Sequence, residues 1–207
     1  MPEITMVIYD NGLASQNQDY LPSRSLLQKE FIQSLISRKF EADSENLLGI
    51  IPLNQPQHNN IITPTKQRDY LYTFLNSITL GEEVDYIKSI NQALHSFKQR
   101  DITTKHLIIF LGSEINENLE DEIFTKVFEI LTSGITLTLV FFGENMEYYE
   151  GFVNEIDYPH FKCIKVDPND DINEIYDQIN GDNFEEEDPQ LAEAIRQSLA
   201  DQQKGNN

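Results

Sequence analysis

Residues 1–180 alternate between two kinds of segment, and that alternation restricts the fold more than any other feature of the chain. Short runs rich in Ile, Val, Leu and Phe, at residues 4–9, 47–53, 106–111, 136–142 and 163–166, read as buried strands. Longer stretches with helical spacing lie between them. Residues 23–40 place Leu27, Phe31, Leu35 and Ile36 on one side, residues 84–98 do so with Ile87, Ile90, Ala93, Leu94 and Phe97, and residues 119–131 with Ile123, Val127 and Ile130. Strand and helix in alternation predict an α/β fold, a mostly parallel sheet with helices on both faces. Residues 61–62 are expected to add an edge strand before Pro64, and residues 67–76 a short helix.

A chain of 207 residues can bury one substantial core and carry an appendage. Its formal charge is −20, and residues 181–207 hold seven acids against Arg196 and Lys204, so −15 of that charge falls on residues 1–180. Phosphate backbones and anionic lipid are repelled by such a field, which argues against nucleic acid and membrane partners and for basic protein surfaces. Cys163 is the one cysteine, so no internal disulfide forms, and there is neither a signal peptide nor an apolar run long enough to span a bilayer. The expected setting is a reducing one, cytoplasm and nucleus.

The appendage has its own pattern. Glu185, Glu186, Glu187 and Asp188 precede Pro189 and a short stretch in which Leu191, Ala194, Ile195 and Ser198 share one helical side, with Leu199 at its margin. Asp188 suits the N-cap, Pro189 the first turn and Gly205 the exit, and the four acids lie where a helix dipole favours negative charge. Ala194 lets a partner's bulky apolar side chain approach the backbone, and Ser198 offers a hydroxyl beside it. The natural complement is an apolar patch ringed by Arg or Lys. Four acids, Leu191, two residues, Ala194, three residues, Ser198 and then Asp201 resemble the ubiquitin-interacting motif. The resemblance implies ubiquitin and polyubiquitin chains as partners, held through Glu185, Glu186, Glu187, Asp188, Leu191, Ala194, Ile195, Ser198 and Leu199. One short helix buries little surface, so the expected Kd is on the order of 10⁻⁴ M.

Ligand sites of open parallel sheets form in the loops at the C-terminal strand ends. The first such loop is Asp10-Asn11-Gly12-Leu13-Ala14, which is similar to the opening of von Willebrand factor A domains, where Asp-x-Ser-x-Ser begins a magnesium site. Here Gly12 and Ala14 stand at the serine positions, and Gly112-Ser113 follows the 106–111 strand where a metal-binding member places a carboxylate. Too few oxygen ligands remain for a hard cation, so the loop is expected to be a metal-free polar turn with Gly12 free to take positive φ.

Asn17-x-Asp19-Tyr20-x-Pro22-Ser23-Arg24-x-x-x-Gln28, Glu45-Asn46-x-x-Gly49, Phe110-x-Gly112-Ser113 and Phe142-Gly143-Glu144 resemble, in order and spacing, the ubiquitin-receptor family of the 26S proteasome regulatory particle. That family joins a von Willebrand factor A-type domain to one or more ubiquitin-interacting motifs. The resemblance implies an A domain over residues 1–178 that docks at the junction of base and lid. A linker at 179–184, a single ubiquitin-interacting helix at 185–203 and a tail at 204–207 follow. Asp10, Asn17, Asp19, Tyr20 and Arg24 are the docking candidates. An adaptor in an endocytic or repair assembly is the alternative, because the motif also occurs there.

No catalytic constellation competes with this reading. His58, His95, His106 and His160 show no metal spacing with one another or with Cys163. Nucleophile elbow, phosphate-cradling loop and His-Glu-x-x-His are all missing from the sequence. The chain is expected to be non-enzymatic and to need no cofactor.

Overall fold

A computed structural model describes residues 1–55, 60–115, 117–143 and 148–180. The ubiquitin-interacting helix expected at 185–203, together with His58 and Glu144, lies outside the described residues. Six strands form one sheet: β1 Glu3–Tyr9, β2 Leu47–Pro52, β3 Ile62–Thr65, β4 Thr104–Leu111, β5 Thr136–Phe141 and β6 Phe161–Lys165. Their spatial order is β3-β2-β1-β4-β5-β6. Five run parallel, with Met6 opposite Gly49 and Leu107 in the register, while β3 joins the edge antiparallel. Pro64 has no N–H to donate, and an edge strand is where that is tolerated.

The helices are α1 Arg24–Ala42, α2 Arg68–Ser77, α3 Tyr86–Lys98, α4 Glu117–Thr132, α5 Tyr149–Glu155 and α6 Ile172–Asn180, with a 3-10 turn at Leu13–Gln16. Period-two alternation in the central strands divides the core into two layers. Ile4, Met6 and Ile8 of β1 and Leu107, Ile109 and Leu111 of β4 face α3, α4 and α5. Val7, Tyr9, Ile108 and Phe110 face α1, α2 and α6. Because every β-to-α connection leaves from the C-terminal end of a strand, the loops after β1, β4, β5 and β6 converge on one face. The sheet thus holds residues far apart in sequence within hydrogen-bonding reach.

The expected strands and four expected helices are present, with ends shifted by a few residues. α5 and α6 were not anticipated. α6 runs to Asn180, two residues beyond the expected domain end at 178.

Candidate functional site

Asp10 directly follows β1 and is fully buried, with no solvent exposure. Its Oδ1 accepts from Gly12 N at 3.0 Å and Ser113 Oγ at 2.5 Å. Oδ2 accepts from Gly112 N at 2.8 Å and from Ser113 N. The Asp10 backbone is held as well: its N–H donates to Gln28 Oε1 at 2.9 Å, and its carbonyl accepts from Gln28 Nε2 at 3.0 Å and Ser15 Oγ at 2.8 Å. Burial pushes the carboxyl above its ordinary value, and the hydrogen bonds from Ser113, Gly12 and Gly112 pull the other way. All four side-chain contacts fit the ionised form.

Gly12 sits at φ −64°, so the positive φ open to it is not taken. The glycine is needed for space: a Cβ there would lie 2.0 Å from Ser113 Oγ and 2.9 Å from Val84 Cγ1. The serine that metal-binding members carry at this position cannot enter unless Ser113 moves. Ser113 has taken over two of the contacts on Asp10, one through Oγ and one through its N–H. Among the described residues no group of three His, Cys, Asp or Glu is placed to hold a metal ion.

Asn11 links two further segments. Its Nδ2 donates to Asn54 O at 3.0 Å and Thr79 O at 2.9 Å, Asn54 N donates to its Oδ1 at 2.7 Å, and Gly81 N to its carbonyl at 2.9 Å. Asn54 Nδ2 then reaches Glu83 O at 2.6 Å.

Arg24 forms a second clamp. Ser23 caps α1, accepting from Leu26 N at 3.3 Å. Arg24 is 3% exposed and pairs with Asp19, which is 41% exposed: Nε donates at 2.9 and 3.1 Å and Nη2 at 2.5 Å. Nη1 donates to Gly112 O at 3.1 Å. Gly143, at φ +64°, leaves room for the guanidinium, since a Cβ would lie 2.2 Å from Arg24 Nη1. Beside it, Tyr20 Oη donates to Val166 O at 2.9 Å and accepts from Gly143 N at 3.1 Å. The loops after β1, β4, β5 and β6 are thereby tied together. The arrangement has the character of a rigid platform.

Of the five docking candidates, Asp10, Tyr20 and Arg24 are buried in the structure. Asn17 and Asp19 are exposed. The contributions of Ser113, Gln28 and Asn54 were missed as such. Gln28 carried a signal, being a polar residue one step from the apolar stripe of α1; Asn54 carried none.

Residues 5–114 match the von Willebrand factor type A domain family. The chain is similar to a 26S proteasome non-ATPase regulatory subunit 4 from Dictyostelium discoideum, 24% identical over 159 residues, covering 74% of this chain and 45% of that protein. A homologue of the same subunit in Arabidopsis thaliana is 29% identical over 146 residues, 69% of this chain and 37% of that one. The 26S proteasome regulatory subunit rpn10 of Schizosaccharomyces pombe is 23% identical over 177 residues, 80% of this chain and 71% of that one. The chain spans less than half the length of the first two. A crystal structure of the SpRpn10 VWA domain superposes with a TM-score of 0.72 at 19% identity, covering 86% of this chain and 95% of that one.

Proposed function

Starting from the fact that the chain belongs to the von Willebrand factor type A domain family, we propose that it is a non-ATPase subunit of a 26S proteasome regulatory particle and a receptor for ubiquitin on substrates. One conjunction carries the proposal. The likeness to proteasome subunits extends over most of the A domain, and the sequence just beyond that domain has the acidic run, Leu191, Ala194 and Ser198 of a ubiquitin-interacting motif. Docking at the base-lid junction falls to the A domain, and capture of ubiquitin to Leu191, Ala194, Ile195, Ser198 and Leu199, with Glu185 to Asp188 facing the basic rim of ubiquitin's apolar patch.

The A domain acts here as a binding module without chemistry of its own. Asp10 carries the acid with which metal-binding A domains begin a cation site, yet all four of its contacts are N–H and O–H donors from its own chain. An acidic surface and a reducing setting of cytoplasm and nucleus fit a protein partner. No helix among the described residues is long and apolar enough to cross a membrane.

Titrating labelled ubiquitin with the full chain and with Ala194→Asn tests the capture half. The parent is expected to shift the apolar patch with a Kd on the order of 10⁻⁴ M, and the variant to abolish the shifts by steric clash. Equal shifts with both would refute the placement of the motif.

A further inference from the structure

The described residues expose three leucines, Leu13, Leu21 and Leu26, and all three fall between the end of β1 and the first turns of α1. Leu21 is the extreme case at 77% exposed. A single exposed leucine needs no explanation, but the setting of this one does. The two residues before it in the chain are anchored from within. Tyr20 is hydrogen-bonded to Val166 and Gly143, and Asp19 is held by the buried guanidinium of Arg24, which also reaches Gly112. Buried Tyr20 and Arg24, bonded to backbone groups of three other loops, thus brace a tip whose own side chain is mostly exposed. Ordering a surface tip costs conformational entropy, and the same ordering lowers the cost of binding when the tip is an anchor.

The surroundings specify the partner's charge. The loops at the C-terminal strand ends expose Asp19, Glu82, Glu83, Glu114 and Asp167. The loops that follow the parallel strands contain no Lys or Arg among the described residues, Lys165 at the very end of β6 is the exposed cation next to them, and Arg24 on the first turn of α1 is turned inward to Asp19. An apolar knob inside an acidic rim is complementary to an apolar hollow flanked by lysines or arginines.

We propose that Leu21 is the central anchor of the A domain's docking surface and enters an apolar hollow with a basic rim on a neighbouring protein of the regulatory particle. Leu13 and Leu26 flank the contact, and Arg24 and Tyr20 act as positioning residues beneath it. This rests on the docking reading above. The new element is the residue that anchors the contact and the chemistry of the surface that receives it.

The test uses the full chain and purified regulatory particles assembled without this subunit, with affinity measured over a range of salt. Leu21→Asp is expected to weaken binding about 30-fold, and Glu114→Lys with Asp167→Lys about 10-fold with a shallower salt dependence. Leu21→Met, and Val153→Asp on the opposite helical layer, should stay within about twofold of the parent. Leu21 is exposed, so its variants are expected to keep the parent's melting temperature. Leu21→Asp binding like the parent would overturn the proposal while leaving docking intact. A parent chain that does not bind the particle would overturn the docking reading as well.

Discussion

The two ends of the parallel sheet treat a carboxylate in opposite ways, half-buried Glu3 at one and fully buried Asp10 at the other. At the N-terminal end Glu3 is matched by a cation: Lys39 Nζ donates to its two oxygens at 2.9 and 3.0 Å, and Thr5 Oγ1 donates at 2.7 Å. His106, buried against Thr138 Oγ1 at 2.9 Å, lies 3.8 Å from the same carboxylate. At the C-terminal end Asp10 receives only N–H and O–H donors, and the nearby guanidinium of Arg24 goes to Asp19. Opposite charges hold one another through a field with little directional demand. Four neutral donors hold a carboxylate only when the loops carrying them sit in one arrangement. The first end is therefore a staple and the second a shaped platform.

The largest expected effect breaks the platform. Asp10→Ala strands three backbone N–H groups and the Ser113 hydroxyl in the interior, so about 4 kcal/mol of stability should be lost in urea unfolding. A loss below about 1 kcal/mol would mean that the cradle is not specific for the carboxylate. At the other end the lever is pH. Burial and the nearby Lys39 push His106 down to about 4 from an ordinary 6.5. The unfolded chain takes up the proton first as pH falls. Stability present above about pH 6.5 is thus lost progressively towards pH 4, by about 3 kcal/mol in total. His106→Gln should flatten that slope between pH 6.5 and 5, and an unchanged slope would place its origin elsewhere. Gly12→Ser, restoring a serine of metal-binding A domains, meets Ser113 and should cost about 2 kcal/mol, partly recovered in the double variant with Ser113→Gly. Additive effects of the two changes would deny the steric conflict. The smallest expected effect is none: millimolar Mg²⁺ should give no saturable heat in calorimetry, and heat that disappears in Asp10→Ala would contradict this.

The two layers of the fold were more legible in the sequence than the platform. Ile4, Met6 and Ile8 against Val7 and Tyr9, and the stripes of α1, α3 and α4, are periodicities that burial imposes directly. α5 has only seven residues, too few for a period to declare itself, and α6 has nine, next to an acidic run. The Asp10 loop was placed correctly by strand topology but its interior was not. Gly12 was expected to relieve a dihedral constraint and instead relieves a steric one, set by Ser113 from a loop about a hundred residues away. Arg24 and Asp19 were visible as charges near a helix start. That Arg24 is buried and, with Tyr20, braces three other loops depends on Gly112, Gly143 and Val166, whose proximity is a product of the fold alone. Contacts between loops leave no local pattern, and this site consists of such contacts.

The central claim is that docking and ubiquitin capture reside in separable parts of the chain. It is tested most directly by reconstituting regulatory particles that lack this subunit with residues 1–180, ending where α6 ends, and with the full chain. The expected result is that the shortened chain folds, joins the particle with an affinity within about threefold of the parent, and leaves ubiquitin unbound. A shortened chain that folds yet fails to join the particle would contradict the account, because docking would then depend on the acidic terminal segment.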